Sequence, residues 1–167
     1  MSTFSWLEKA GVVIRVHIAD EPVIPLMASF QRNKLKLFHE DVDILTYYLF
    51  DNTTKSLILN DNASINSGML YENAVAQLLR THGYKKLYYY NNKKYGEADF
   101  LLENNGEIIP VEVKSGKNHN RYSAINNLLS NKNYSFNKAY ILYNGNIKVD
   151  GKKIYLPIYL SDLIVYK

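Results

Sequence analysis

Glu112 and Lys114 stand two residues apart in Ile108-Ile109-Pro110-Val111-Glu112-Val113-Lys114-Ser115-Gly116, a run whose other members are mostly apolar. Side chains alternate between the faces of a strand, so Ile109, Val111 and Val113 point one way, into a core, and Glu112 with Lys114 point the other. A carboxylate and an ammonium then lie about 7 Å apart along one strand. Asp99 occupies a second strand, Glu97 to Leu102, joined to the first by the turn-type cluster Glu103-Asn104-Asn105-Gly106. Strict alternation there puts Ala98, Phe100 and Leu102 on one face and Glu97 and Asp99 on the other. Antiparallel pairing lets Asp99 meet Glu112, and two carboxylates with a main-chain carbonyl make a hard-ligand site suited to Mg²⁺ or Mn²⁺. Lys114 would sit beside a metal-bound water or a phosphate and offset charge developing on its oxygens.

Glu72 can supply a third acid. It precedes Val75, Ala76 and Leu79 by three, four and seven residues on a helix, which sets it on or beside the buried face. A carboxylate there is costly unless it is paired or binds a cation. A first-turn glutamate also favours the helix dipole, and spacing alone leaves both readings open. The plainer account of the strands is an antiparallel sheet with one wet face, where Glu97, Asp99, Glu112 and Lys114 are solvated and cross-strand Glu–Lys pairs are ordinary stabilisers.

The elements needed to position these groups are legible in order. Helical spacing over Met69 to Thr81, ended by Gly83, gives an apolar stripe of Leu70, Ala74, Val75, Leu78 and Leu79. Leu87-Tyr88-Tyr89-Tyr90 and the two strands above follow it. A helix over Tyr122 to Leu129 and a strand over Lys138 to Tyr143 complete the order helix, three strands, helix, strand. Short β runs at Val149 to Tyr155 and Ile158 to Leu160 close the chain, and Leu163 to Tyr166 suits either pattern. Upstream, Ser2 to Ala10 reads as a short helix, Val12 to Ile18 as a strand, Lys34 to Phe38 as an antiparallel edge, and Asp41 to Phe50 as a helix. Helix, two strands and a loop are what the end of a winged-helix unit leaves, but some fifty residues make a thin core alone. The polar cluster Asp51-Asn52-Thr53-Thr54 reads as a turn and sets a boundary, giving an accessory winged-helix-like segment over 1–53 and the main domain over 54–167.

Composition narrows the classes. The 167 residues are 47% hydrophobic and 22% charged, as in a globular chain, with no cysteine for disulfides or thiolate zinc sites. The expected location is cytoplasmic, without a membrane partner: no run approaches the roughly 18 continuous apolar residues of a spanning helix. A net charge of +4 permits nucleic-acid contact without demanding it. Lys85-Lys86 before Tyr88-Tyr89-Tyr90, and Lys93-Lys94 before Tyr95, mix phosphate-pairing cations with base-stacking rings, although strand tyrosines explain much of the same pattern. His17, His39, His82 and His119 lack metal-ligand spacing. Ser115-Gly116-Lys117-Asn118 lacks the earlier glycine and the hydroxyl residue of a phosphate loop, and no Gly-x-Ser-x-Gly elbow occurs.

Glu72 in Tyr71-Glu72-Asn73-Ala74-Val75-Ala76-Gln77, Asp99 in Gly96-Glu97-Ala98-Asp99-Phe100, and Pro110-Val111-Glu112-Val113-Lys114-Ser115-Gly116 resemble the motifs of the PD-(D/E)XK nuclease superfamily. More closely they are similar to the restriction-endonuclease-like C-terminal domain of unknown function that follows an AAA+ ATPase module in many bacterial and archaeal proteins. Trp6-Leu7-Glu8-Lys9-Ala10-Gly11 and Lys34-Leu35-Lys36-Leu37-Phe38 resemble that family's segment between the ATPase and nuclease-like parts. The resemblance implies an α/β (α+β) αβββαβ core, with Asp99 and Glu112 as metal ligands, Lys114 as catalytic lysine and Glu72 as helix acid and further metal ligand. It implies Mg²⁺ or Mn²⁺ as cofactor, nucleic acid as substrate, and an AAA+ ATPase module as partner in cis or in trans. Ala98 replaces the usual proline before the aspartate, and no Gln-x-x-x-Tyr element follows Lys114. Two functions follow as expectations: metal-dependent phosphodiester hydrolysis, or a non-catalytic regulatory or interaction module of the ATPase.

Overall fold

The computed structural model describes residues 3–60, 67–115 and 123–164. Its helices are α1 (Thr3–Lys9), α2 (Leu26–Ser29), α3 (Val42–Leu49), α4 (Asn52–Leu59), α5 (Gly68–Thr81) and α6 (Ser123–Ser130). Its strands are β1 (Val13–Ala19), β2 (Phe30–His39), β3 (Leu87–Asn92), β4 (Gly96–Asn104), β5 (Glu107–Lys114), β6 (Ala139–Tyr143), β7 (Lys148–Asp150) and β8 (Lys153–Pro157). All eight strands form one mixed sheet in the order β2-β1-β3-β4-β5-β6-β8-β7, with helices on both faces. From Gly68 onward the order is helix, three strands, helix, strand, as the sequence periodicity requires.

Each face of the sheet has its own apolar cluster. Val75, Ala76 and Leu79 of α5 pack on Ile14, Val16, Phe100, Leu102, Ile109, Val111 and Val113. On the other face Ile125 and Leu128 of α6 pack on Ala98, Leu101, Ile108 and Ile141. Strands covered on both sides lose their wet face, which is why β5 is buried from Ile108 to Val113.

Residues 1–53 supply the first two strands of this sheet. β1 lies parallel to β3 through Val16↔Leu87, His17↔Tyr88 and Ile18↔Tyr89, and antiparallel to β2, the edge strand. The buried Asn73 of α5 clasps that edge: its Oδ1 accepts from the His39 N–H at 2.7 Å and its Nδ2 donates to the His39 carbonyl at 2.9 Å. The neighbouring Glu72 is thereby carried to β2.

Three local readings are corrected. Asp51-Asn52-Thr53-Thr54 does not turn the chain. Asp51 accepts from the Thr54 N–H at 2.7 Å and caps α4, so the polar cluster is a helix start. The run Val149 to Tyr155 is two strands folded back at Gly151, and Ile158 to Leu160 lies in a 3₁₀ helix, Ile158–Leu163. Gly116, His119 and Tyr122 lie outside the described residues.

Candidate active site

The site begins where β4 and β5 part. Their pairing runs from the two-residue turn Asn105-Gly106, both at positive φ, through Leu102↔Ile109 to Phe100↔Val111. One step on, the Asp99 side chain takes the place of a strand partner, and its Oδ2 accepts from the Val113 N–H at 2.7 Å. β4 meanwhile stays on β3 through Tyr90↔Ala98 and Asn91↔Glu97. Between Tyr88↔Leu101 and Tyr90↔Ala98, β4 spends one residue more than β3, a bulge at Asp99 and Phe100. The bulge overturns strict alternation. Ala98 packs with the α6-side cluster, whereas Phe100 and Leu102 pack with the α5-side cluster. Gly96, at the start of β4, lies so close to α6 that a Cβ there would stand 3.0 Å from that of Ala124. Its φ of +93° also suits only glycine comfortably.

Acids gather at this parting. Burial first, then the charges of Glu112 and Glu72, push the Asp99 carboxyl up to about 7, against the pull of the Val113 N–H and Lys36. Glu112 is buried with 6% of its surface exposed, and burial raises its pKa as well. Lys114 bonds to Glu112 Oε1 and opposes that rise, while Glu72 and Glu97 add to it. Glu112 Oε2 is buried without a hydrogen-bond partner among the described residues. Glu72, Asp99, Glu112 and Lys114 thus lie within electrostatic reach of one another at one end of the β4–β5 hairpin.

Two further groups belong here. Lys36 of β2 places its Nζ 2.5 Å from Glu97 Oε1, 3.3 Å from Glu72 Oε2 and 3.9 Å from Asp99 Oδ1. Burial alone would lower the pKa of that ammonium, but the Glu97 hydrogen bond and the Glu72 and Asp99 charges outweigh it and raise it. Glu97, which alternation leaves as a solvated residue, is held by Lys36 on one oxygen and by Asn91 Nδ2 at 2.7 Å on the other. The alternation Lys34-Leu35-Lys36-Leu37 tells that Lys36 faces away from the two leucines. Only the folding of β2 against α5 reveals what it faces.

A divalent cation suits part of this set. Two raised carboxylates and one unpartnered carboxylate oxygen are hard donors short of a positive charge. Among the described residues, however, no three His, Asp or Glu side chains are grouped to hold a metal. Glu72 is turned to Lys36, which leaves Asp99 and Glu112 as the pair.

Residues 67–161 match the family model "Domain of unknown function (DUF4143)". No curated protein and no solved structure matches the chain.

Proposed function

From a chain that belongs to the DUF4143 family, a domain of unknown function, we propose metal-dependent hydrolysis of phosphodiester bonds in nucleic acid, of PD-(D/E)XK type. The observation that carries the reading is the parting of β4 and β5, which sets Asp99 and Glu112 together beside Lys114 with carboxyl pKa values forced upward. Asp99 and Glu112 would hold Mg²⁺ or Mn²⁺, and Glu72 would join them as the third acid only by leaving Lys36. When bound, such an ion lowers the pKa of water and polarises a phosphoryl oxygen. Lys114 Nζ, already on Glu112, would hold the attacking water and offset charge on the phosphate oxygens. The water gives up a proton to solvent as its oxygen bonds to phosphorus and the P–O bond opposite breaks, and the leaving oxygen takes a proton from solvent in return.

One observation favours a second reading, a non-catalytic regulatory module of an AAA+ ATPase in cis or in trans. The Lys36 ammonium already neutralises part of the acid cluster, as a structural counter-ion would. Cleavage of plasmid and oligonucleotide DNA and RNA with Mn²⁺, run beside Lys114→Ala and Asp99→Ala, separates the two. Metal-dependent cutting lost by at least 100-fold in both variants is expected. Equal background in all three proteins sinks the nuclease reading and leaves the module.

A further inference from the structure

The opposite face of the β1–β2 hairpin holds a groove that the acidic site does not use. Lys36 points toward α5, while its neighbours Leu35 and Leu37 line this groove with Arg15 and His17 of β1. α1 and the segment Lys85-Lys86 also border it. Its volume, about 1280 Å³, exceeds the roughly 300–1,000 Å³ of small-molecule pockets. A chain-like ligand fits that size.

The charge of the groove is one-sided. Lys9, Arg15, Arg32, Arg80, Lys85 and Lys86 line it against a single acid, Glu8. The Arg15 guanidinium already pairs with Glu8, its Nε donating to Oε2 at 2.7 Å. The groove therefore holds five positive charges net where the whole chain has +4, so the rest of the molecule is slightly acidic. The mild basicity of the sequence is thus concentrated in one place. Arg32, Lys85 and Lys86 are exposed and border the groove, and the Lys86 ammonium rests on Met27 Sδ at 2.8 Å, a contact that a phosphate would replace.

Between the cations the groove is apolar and aromatic. Phe4 is 45% exposed, and Met27 and Leu37 are exposed as well. His17 and Phe30, both half-buried, meet edge to face at 5.2 Å on the floor, and Phe30 is backed at 6.5 Å by the buried ring of Tyr88. A duplex offers phosphates but hides its base faces. A single strand offers both, phosphates to the rim and bases to the rings.

We propose that this groove binds single-stranded nucleic acid, as a site separate from the acidic cluster and independent of whether that cluster cleaves. Binding of a labelled 20-nucleotide single strand is read by fluorescence anisotropy in EDTA, where cleavage cannot contribute. The double substitution Arg32→Glu with Lys86→Glu is compared with Lys132→Glu with Lys138→Glu, which changes net charge equally at another part of the surface. A loss of at least tenfold confined to the groove variant is expected, with a salt slope shallower by about 1.4 for two lost phosphate contacts. Thermal melting of both variants within a few degrees of wild type establishes that they fold, and Arg32→Lys with Lys86→Arg should restore binding. Equal losses in the two charge-matched variants overturn the proposal. So does a duplex bound as tightly as the single strand, or a poly-glutamate peptide bound in preference to either.

Discussion

The two ends of the β4–β5 hairpin are built from the same pair of strands and do opposite things. At the closed end, Asn105-Gly106 turns the chain and every step to Phe100↔Val111 is paired by main chain over a dry core. At the open end, a carboxylate stands in for the strand partner, and acids are held together against the cost of burial first and their mutual repulsion second. The closed end supplies stability that the open end consumes. Such a division is expected where a scaffold holds a reactive site, since strain and mispaired charge persist only where the surroundings enforce them.

The largest effect should come from the closed end. Leu102→Ala removes a side chain with 1% of its surface exposed and should destabilise by about 2–5 kcal/mol, read as a lowered urea midpoint. An unchanged midpoint would mean that the hairpin core is not what anchors the sheet.

The open end should respond with the opposite sign. In the unfolded chain Asp99 releases its proton near 3.8, whereas in the native state it holds it to about 7. Between those values the folded protein binds more protons, so this group's contribution falls as pH rises from about 4 through 7. Burial of Glu112 acts in the same direction. Asp99→Asn keeps an oxygen for the Val113 N–H and removes the charge, and should stabilise by about 1–3 kcal/mol at pH 8 but not at pH 4. Urea titrations at the two pH values check this, and a destabilised variant at pH 8 would refute the picture of a carboxylate held at the cost of burial and repulsion. Mn²⁺ should likewise raise the wild-type melting temperature at pH 8 by a few degrees, and should do so far less in Asp99→Asn.

The smallest effect belongs to the turn itself. Gly106, at a φ of +73° with open space where a Cβ would stand, should cost about 1 kcal/mol as Gly106→Ala, from backbone conformation alone.

Much of this contrast was legible in the chain, and its limits are instructive. Val111-Glu112-Val113-Lys114 announces its two faces by alternation, and Asn105-Gly106 announces its turn, because both depend on neighbours in sequence. The bulge at Asp99 and Phe100 does not, since one extra residue leaves no mark in composition and yet moves every side chain beyond it to the other face. Asp51 was legible as a polar residue but ambiguous between turn and cap, two roles that share the same hydrogen-bonding chemistry. Lys36 was hidden because its partners come from α5 and β4, at separations of 36 residues and more.

The bond between Asp99 and Val113 has a further consequence. Protection of that one amide from solvent deuterium depends on a side chain, while the amides of β4–β5 pairing depend on a ladder. Its exchange rate therefore gauges how often the mouth of the hairpin gapes, with no substrate, metal or turnover needed to read it.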